Sequence, residues 1–252
     1  MPVDATPPPP RSPPMPPRAV PALLALVAGA VDACTVLGLF GLFVAQLTGS
    51  FVIVGVELVR QQPAALIHLM ALPLFFAAGA AIAILAQSVA AHALAVSLAV
   101  EAVLLAAFMA TGIAAAPFTN AGAPAALLAS ALGLLAMGVQ NASVRMLLPG
   151  VASTNVMTMN PTQLAIDVVQ WGLASWRSAP SPGAQAAAQA AAQTTARAAA
   201  SRIGTLGPIT AGFFAGTVVG ALGFVSLGFW SLAPLVAILL GLAWWAVARR
   251  AA

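Results

Sequence analysis

The stretch AVPALLALVAGAVDACTVLGLFGLFVAQLTGSFVIVGVELV, residues 19–59, carries two charged side chains, Asp32 and Glu57, in an otherwise apolar run. About 20 apolar residues cross the hydrocarbon core of a bilayer, so this run of about 40 is too long for one crossing and suits two. Gly38 and Gly41 offer the turn between them. The rest of the chain repeats the pattern. Of 252 residues, 62% are hydrophobic and 6% charged, against about 25% charged in soluble domains. Mean hydropathy is +1.02. A soluble fold of this size needs a polar surface that so few charges do not supply, so lipid is the expected solvent.

Further apolar segments follow at 66–88, 93–113, 123–147, 152–173, 207–229 and 232–247, eight in all. Breaks fall at Arg60 to Pro63, at 117–124, at Pro149 and Gly150, and in a polar insert at 178–204. The nine basic residues are all Arg. With the N-terminus inside and eight alternating crossings, Arg11, Arg18, Arg60, Arg177, Arg197, Arg202, Arg249 and Arg250 fall on the cytoplasmic side, and Arg145 alone does not. A wrong count would scatter them. The expected protein is therefore an all-α integral membrane protein, an eight-helix bundle built from hydrophobic spans with both termini cytoplasmic. Its basic residues are scattered rather than striped, which excludes a nucleic-acid surface.

Residues 1–18 are Pro-rich without hydrophobic period and read as a disordered cytoplasmic tail. A signal peptide would need a short apolar core and a small-residue cleavage site. Here the apolar run continues, so an uncleaved first span is expected. The insert at 178–204 is rich in Ala, Gln and Arg and favours helix. It reads either as a regulatory, partner-binding cytoplasmic helix or as a linker lying on the membrane surface.

The chain also matches itself. Gly29–Ala30–Val31–Asp32–Ala33 resembles Gly138–Val139–Gln140–Asn141–Ala142 at an offset of 109, which also relates Gly41 to Gly150. One residue further out of register, Thr48–Gly49–Ser50 matches Thr158–Met159–Asn160, and Glu57 matches Asp167. Phe76–Ala77–Ala78–Gly79 resembles Phe213–Phe214–Ala215–Gly216. Two four-helix repeats are expected, at 19–114 and 123–248, the insert lying in the second. Four spans return the chain to its starting side, so the copies should be parallel.

These motifs carry a family resemblance. Gly-x-x-Asp-Ala in the first span, Thr-Gly-Ser opening the second, and the later Met-Gly-x-Gln-Asn-Ala and Thr-x-x-x-Thr-Gln-Leu-Ala-Ile-Asp resemble the YoaK family of bacterial multi-pass membrane proteins of unknown function. The resemblance covers roughly 20–248. Met159 departs from the Gly usual among members. What the resemblance implies is a membrane location, with no substrate.

Polar residues inside spans mark candidate sites, because a buried charge costs several kcal/mol unless paired, neutralised or hydrated. Asp32 is the sharpest of these. Its expected partners are Asn141 and Arg145, the latter one turn (roughly 6 Å) further along its helix, by function or as a structural ion pair. Asp32, Thr48, Ser50, Asn141, Arg145, Thr158 and Asn160 form the candidate substrate site, with Gly49 and Pro161 as helix breaks. Glu57 can pair with Arg60 at i+3. Glu101 reads as a proton relay or a buried neutral acid. Cys34 reads as a packing residue. Gly212, Gly216 and Gly220 form a close-packing face, internal or between copies in a homo-oligomer. His68 and His92 are isolated, so no metal is expected, and no cofactor fingerprint is present.

The leading expectation is a small-molecule or ion permease, its polar site at the repeat interface taking a small polar or cationic substrate. A non-transporting scaffold whose polar residues are structural is the alternative. An intramembrane enzyme comes third, because no nucleophile–base constellation is visible.

Overall fold

A computed structural model of the protein describes residues 17–62, 64–152, 154, 159–177 and 186–251. All regular structure among them is helical. In chain order the helices are α1 (Ala19–Gly38), α2 (Leu47–Val59), a single turn and a half α3 (Ala65–Leu69) running into α4 (Ala71–Ser88), α5 (Ala93–Ala115), α6 (Pro124–Leu147), α7 (Met159–Arg177), α8 (Ala186–Leu227) and α9 (Ala233–Ala251). A 3-10 turn, Gly228–Leu232, joins the last two. Helices satisfy every interior backbone group within one segment, as an apolar solvent requires.

Five helical segments are long and apolar enough to cross a membrane: 19–38, 65–88, 93–115, 124–147 and 186–249, the last containing both α8 and α9. The exterior is correspondingly apolar, with Val59, Phe76, Val225 and Trp244 each more than three-quarters exposed. Eight crossings are not established by these helices. With 13 residues, α2 is about 20 Å long against a hydrocarbon core of about 30 Å. Of the expected sixth span from 152, the described helix is α7, Met159–Arg177, while 153 and 155–158 lie outside the described residues. The insert also differs from expectation. Its described part, from Ala186, is not a separate helix but the first half of the 42-residue α8, which continues through Gly204 and Pro208. The Arg18 guanidinium lies where a Cβ on Gly204 would point, so this glycine admits a neighbour instead of ending the helix. Residues 1–16 of the tail and 178–185 of the insert lie outside the described residues.

The central post is α1. In its most apolar window 72% of the residues are buried, against 17% for 65–88 and 28% for 186–249. Its closest neighbour is α8. A Cβ added to Gly212, Gly216 or Gly220 would run into the backbone of Ala22, Leu26 or Ala30 respectively, and one on Gly29 would run into the Phe213 carbonyl. Both sets of contacts advance by four residues in the same sense, so α1 and α8 run parallel with their backbones touching. The three-glycine face thus packs within the chain, against α1. On the other side of the bundle α6 packs on α4, where a Cβ on Gly138 would come within 2.8 Å of the Ala78 methyl. Cys34 packs at the α1–α8 contact, its Sγ 3.7 Å from the Gly220 carbonyl.

Crowding this backbone contact should cost about 1–3 kcal/mol, the usual range for overpacking. Gly216→Ala is expected to lower the Tm of purified protein in detergent. Gly55→Ala, at a position with open space around it, should leave it unchanged or slightly raised, because Ala is the better helix former. Equal effects at the two positions would contradict backbone contact between α1 and α8.

Candidate functional site

Between α1 and α2 the chain leaves the helix for eight residues, 39–46, without leaving the interior: Leu39, Leu42, Val44 and Ala45 are all buried. Phe40 and Gly41 turn it through positive φ. Buried non-helical backbone needs partners for its N–H and C=O groups, and Asp32 supplies them. Its Oδ1 accepts hydrogen bonds from the backbone N–H of Val44 at 2.8 Å and of Ala45 at 2.7 Å. These residues lie just before α2, so the acid of α1 caps the approach to the next helix. The Ser50 hydroxyl, in the first turns of α2, donates to the Phe43 carbonyl at 2.7 Å. Gly49 is the third residue of α2 and does not break it. The Phe43 ring lies 3.1 Å from where a Cβ on Gly49 would stand, so the missing side chain seats that ring.

The other Asp32 oxygen, Oδ2, is buried and has no hydrogen-bond partner. Asp32 lines a groove of about 270 Å³ between α1 and α8, walled by Val36, Phe43, Gln46, Phe213 and Thr217. Asn141 and Arg145 are not there. They line a second groove, about 380 Å³, between α6 and α4, with Phe75, Gly79, Gly138 and Val151. The expected contact of Asp32 with Arg145 or Asn141 is therefore not made. The reason is the packing: α1 lies on α8 and α6 on α4, so Asp32 and Arg145 open onto different grooves, and Asp32 spends one oxygen on backbone amides, which bind a carboxylate strongly.

Other expected site residues divide. Thr48 is exposed, on the far side of α2 from buried Ser50. Asn160 is buried in the first turn of α7. Pro161 follows it as the third residue of the described helix, where an N–H has no acceptor within that helix and Pro is tolerated. Thr158 lies outside the described residues. Residue Gln140, missed by sequence reasoning, is fully buried, and its Nε2 donates to the Leu24 carbonyl at 3.0 Å and to Thr154 Oγ1 at 3.3 Å. It thereby ties the segment before α7 to α1. Its place inside the Met-Gly-x-Gln-Asn-Ala motif was the available signal.

In both α2 and α7 most of the buried positions are polar. In α2 the buried residues are Ser50 and Glu57, while Phe51, Val52, Val56, Leu58 and Val59 face out. In α7 they are Asn160, Asp167 and Ala174, while Val168, Val169 and Trp176 face out. Each inward acid meets a base from the following helix. His68 Nδ1 of α3 lies 2.9 Å from Glu57 Oε2, and Arg202 of α8 reaches Asp167 Oδ1 through Nε and Nη2, both at 2.8 Å. The expected Glu57–Arg60 pair is not formed: Arg60 caps the end of α2 and is exposed. In α5, Glu101 is fully buried, and neither of its carboxyl oxygens has a hydrogen-bond partner.

Five segments fit to cross a membrane, an apolar exterior and an inward-facing polar set define a class: helical, with the attributes of a multi-pass membrane protein. Residues 20–245 match DUF1275, described as a protein of unknown function, and the chain belongs to that family. The match is compatible with the YoaK resemblance without carrying its name. No curated protein and no solved structure matches the chain.

If Asp32 holds the 39–46 loop, acceptor geometry matters more than charge. Asp32→Asn keeps an oxygen for the Val44 and Ala45 amides and should lower Tm modestly. Asp32→Leu strands both buried donors, at about 1–3 kcal/mol each, and should lower Tm severely. Thermal unfolding in detergent checks this, and equal stability of the two variants would contradict it.

Proposed function

We propose that this protein is a multi-pass permease of the bacterial inner membrane, with the α1–α8 groove as its site for a small cation. The observation that carries the reading is Asp32 Oδ2, a buried carboxylate oxygen without a hydrogen-bond partner, on a side chain that lines this groove. Ionisable groups held inside a membrane bundle commonly mark ion or substrate paths. The groove's other walls are mostly apolar, with the Phe43 and Phe213 rings nearby, which suits an organic cation or a partly dehydrated ion. No catalytic role is part of this reading.

The proposed architecture is eight spans in two parallel halves, α1 to α5 and α6 to α9. Four features support it. The first helix of each half packs on the third of the other, α1 on α8 and α6 on α4, and the matched glycines Gly29 and Gly138 stand at the two contacts. The groove residues correspond at the 109-residue offset, Asp32 with Asn141 and Ala33 with Ala142. The inward residues of the second helices correspond one residue further on, Ser50 with Asn160 and Glu57 with Asp167. Lastly, α1 and α8 run parallel, as odd-numbered spans of such a bundle must. A groove bounded by one helix from each half would open and close as the halves move, the rocking expected of repeat transporters. The termini would be cytoplasmic, by the Arg distribution.

The two amide bonds to Asp32 Oδ1 favour a second reading, a scaffold in which Asp32 is only a structural lock. Accessibility separates the two. In a Cys34→Ala background, Thr217→Cys sets a thiol on the groove wall without touching the carboxylate. The permease reading predicts labelling by a membrane-impermeant maleimide applied from one side. Protection of folded protein from impermeant and permeant reagents alike would overturn it in favour of the scaffold.

A further inference from the structure

The α4–α6 groove differs from its counterpart in the sign of its charge. Where the Asp32 groove has Val36 on α1, the corresponding position 109 residues on is Arg145, and where it has the acid it has the neutral amide Asn141. Both polar side chains project from α6 at i and i+4, so they share one helix face. Neither has a hydrogen bond or ion pair to any described residue. Arg145 is the one charge between Glu101 and Asp167 in the sequence. It stands in the last turn of α6, where the helix dipole favours a cation. That explains its tolerance there but leaves five N–H donors of a guanidinium and the Asn141 amide without acceptors among the described residues.

The groove's remaining surface is apolar: Phe75 and Ala142 line it, Val151 closes one end, and Phe76 and Met146 stand exposed on the neighbouring outer surface. We infer that this groove binds the phosphate of an amphiphilic anion, with Arg145 as a bidentate donor, Asn141 as a second donor and the apolar walls taking the start of an acyl chain. The inference goes beyond the permease reading and stands without it, since it needs neither transport nor the Asp32 site. The phosphate chemistry has two sources, a lipid headgroup or a free phosphate, and the apolar walls favour the lipid.

The full chain, purified in a non-ionic detergent, tests this by native mass spectrometry with added phosphatidylglycerol, beside a Tm series with inorganic phosphate alone. Retained phosphatidylglycerol is expected. Its retention should fall roughly tenfold in Arg145→Gln, the loss of about 1.4 kcal/mol of binding, and should be unchanged in Arg60→Gln, an exposed Arg on another helix. Asn141→Ala, which removes the other donor, should reduce retention as well, and it reads the same site if the Arg145 variant does not fold. A Tm rise with inorganic phosphate that Arg145→Gln abolishes would support the anion site and assign it to a free phosphate. Equal lipid retention by wild type and both groove variants, with no phosphate effect on Tm, would overturn the inference.

Discussion

The carboxylate of Asp32 and the backbone amides of Val44 and Ala45 form the contact on which the first half of the molecule depends. The chain must turn after α1 and begin α2 while its backbone stays buried, and the N–H groups of Val44 and Ala45 need acceptors there. One side-chain oxygen from the preceding helix serves both. Ser50 closes the other side of the loop by donating to Phe43. With the loop fixed, α2 starts at a set height and turns Ser50 and Glu57 inward. Glu57 then meets His68 at the start of the next helix. A polar chain from Asp32 through Ser50 to Glu57 thus sets the course of the whole α1 to α3 passage.

Backbone contact between α1 and α8 is the second constraint. Gly29 on one side and Gly212, Gly216 and Gly220 on the other bring the helices together until main chain touches main chain. That contact binds the two ends of the sequence into one body. It also forms the floor of the groove beside Asp32, because the side chains that flank the glycines, Phe213 and Thr217, become its wall. Between α6 and α4 a looser version of the same contact, through Gly138 and Ala78, leaves the wider groove that holds Asn141 and Arg145.

Much of this was legible in the sequence, and the misses share a cause. Apolar run lengths and breakers located α1, α4, α5, α6 and α9 closely, because these depend on local composition. The importance of Asp32 was legible too, since a charge in an apolar run must be accounted for. Its partners were not. They are backbone amides in a buried loop, and no side-chain pattern announces those. Arg145 looked like the natural counter-ion because repeat spacing gave its level along the helix, while the direction each helix faces is settled by packing. The Glu57 partner was sought at i+3 on the same helix, but α2 ends at Val59, so the base comes from beyond the turn. Pro161 was read as an interior kink because the sixth apolar run was taken to be helical from 152. A Pro at a helix start is the commoner arrangement, and that rule puts the start beside Pro161, close to where the described α7 begins. In the sequence the insert ends at Gly204, a residue type that often ends helices, yet α8 runs through it. Here it makes room for Arg18 instead.

The account's central claim is that Asp32 holds the buried 39–46 loop. Amide hydrogen exchange resolved to Val44 and Ala45, in wild type and in Asp32→Ala in the same detergent, tests it most directly. Both amides should be strongly protected in wild type although they lie outside any helix, and both should lose that protection in the variant while the amides of α5 keep theirs. Fast exchange at Val44 and Ala45 in wild type, or equal protection in the two proteins, would contradict the claim.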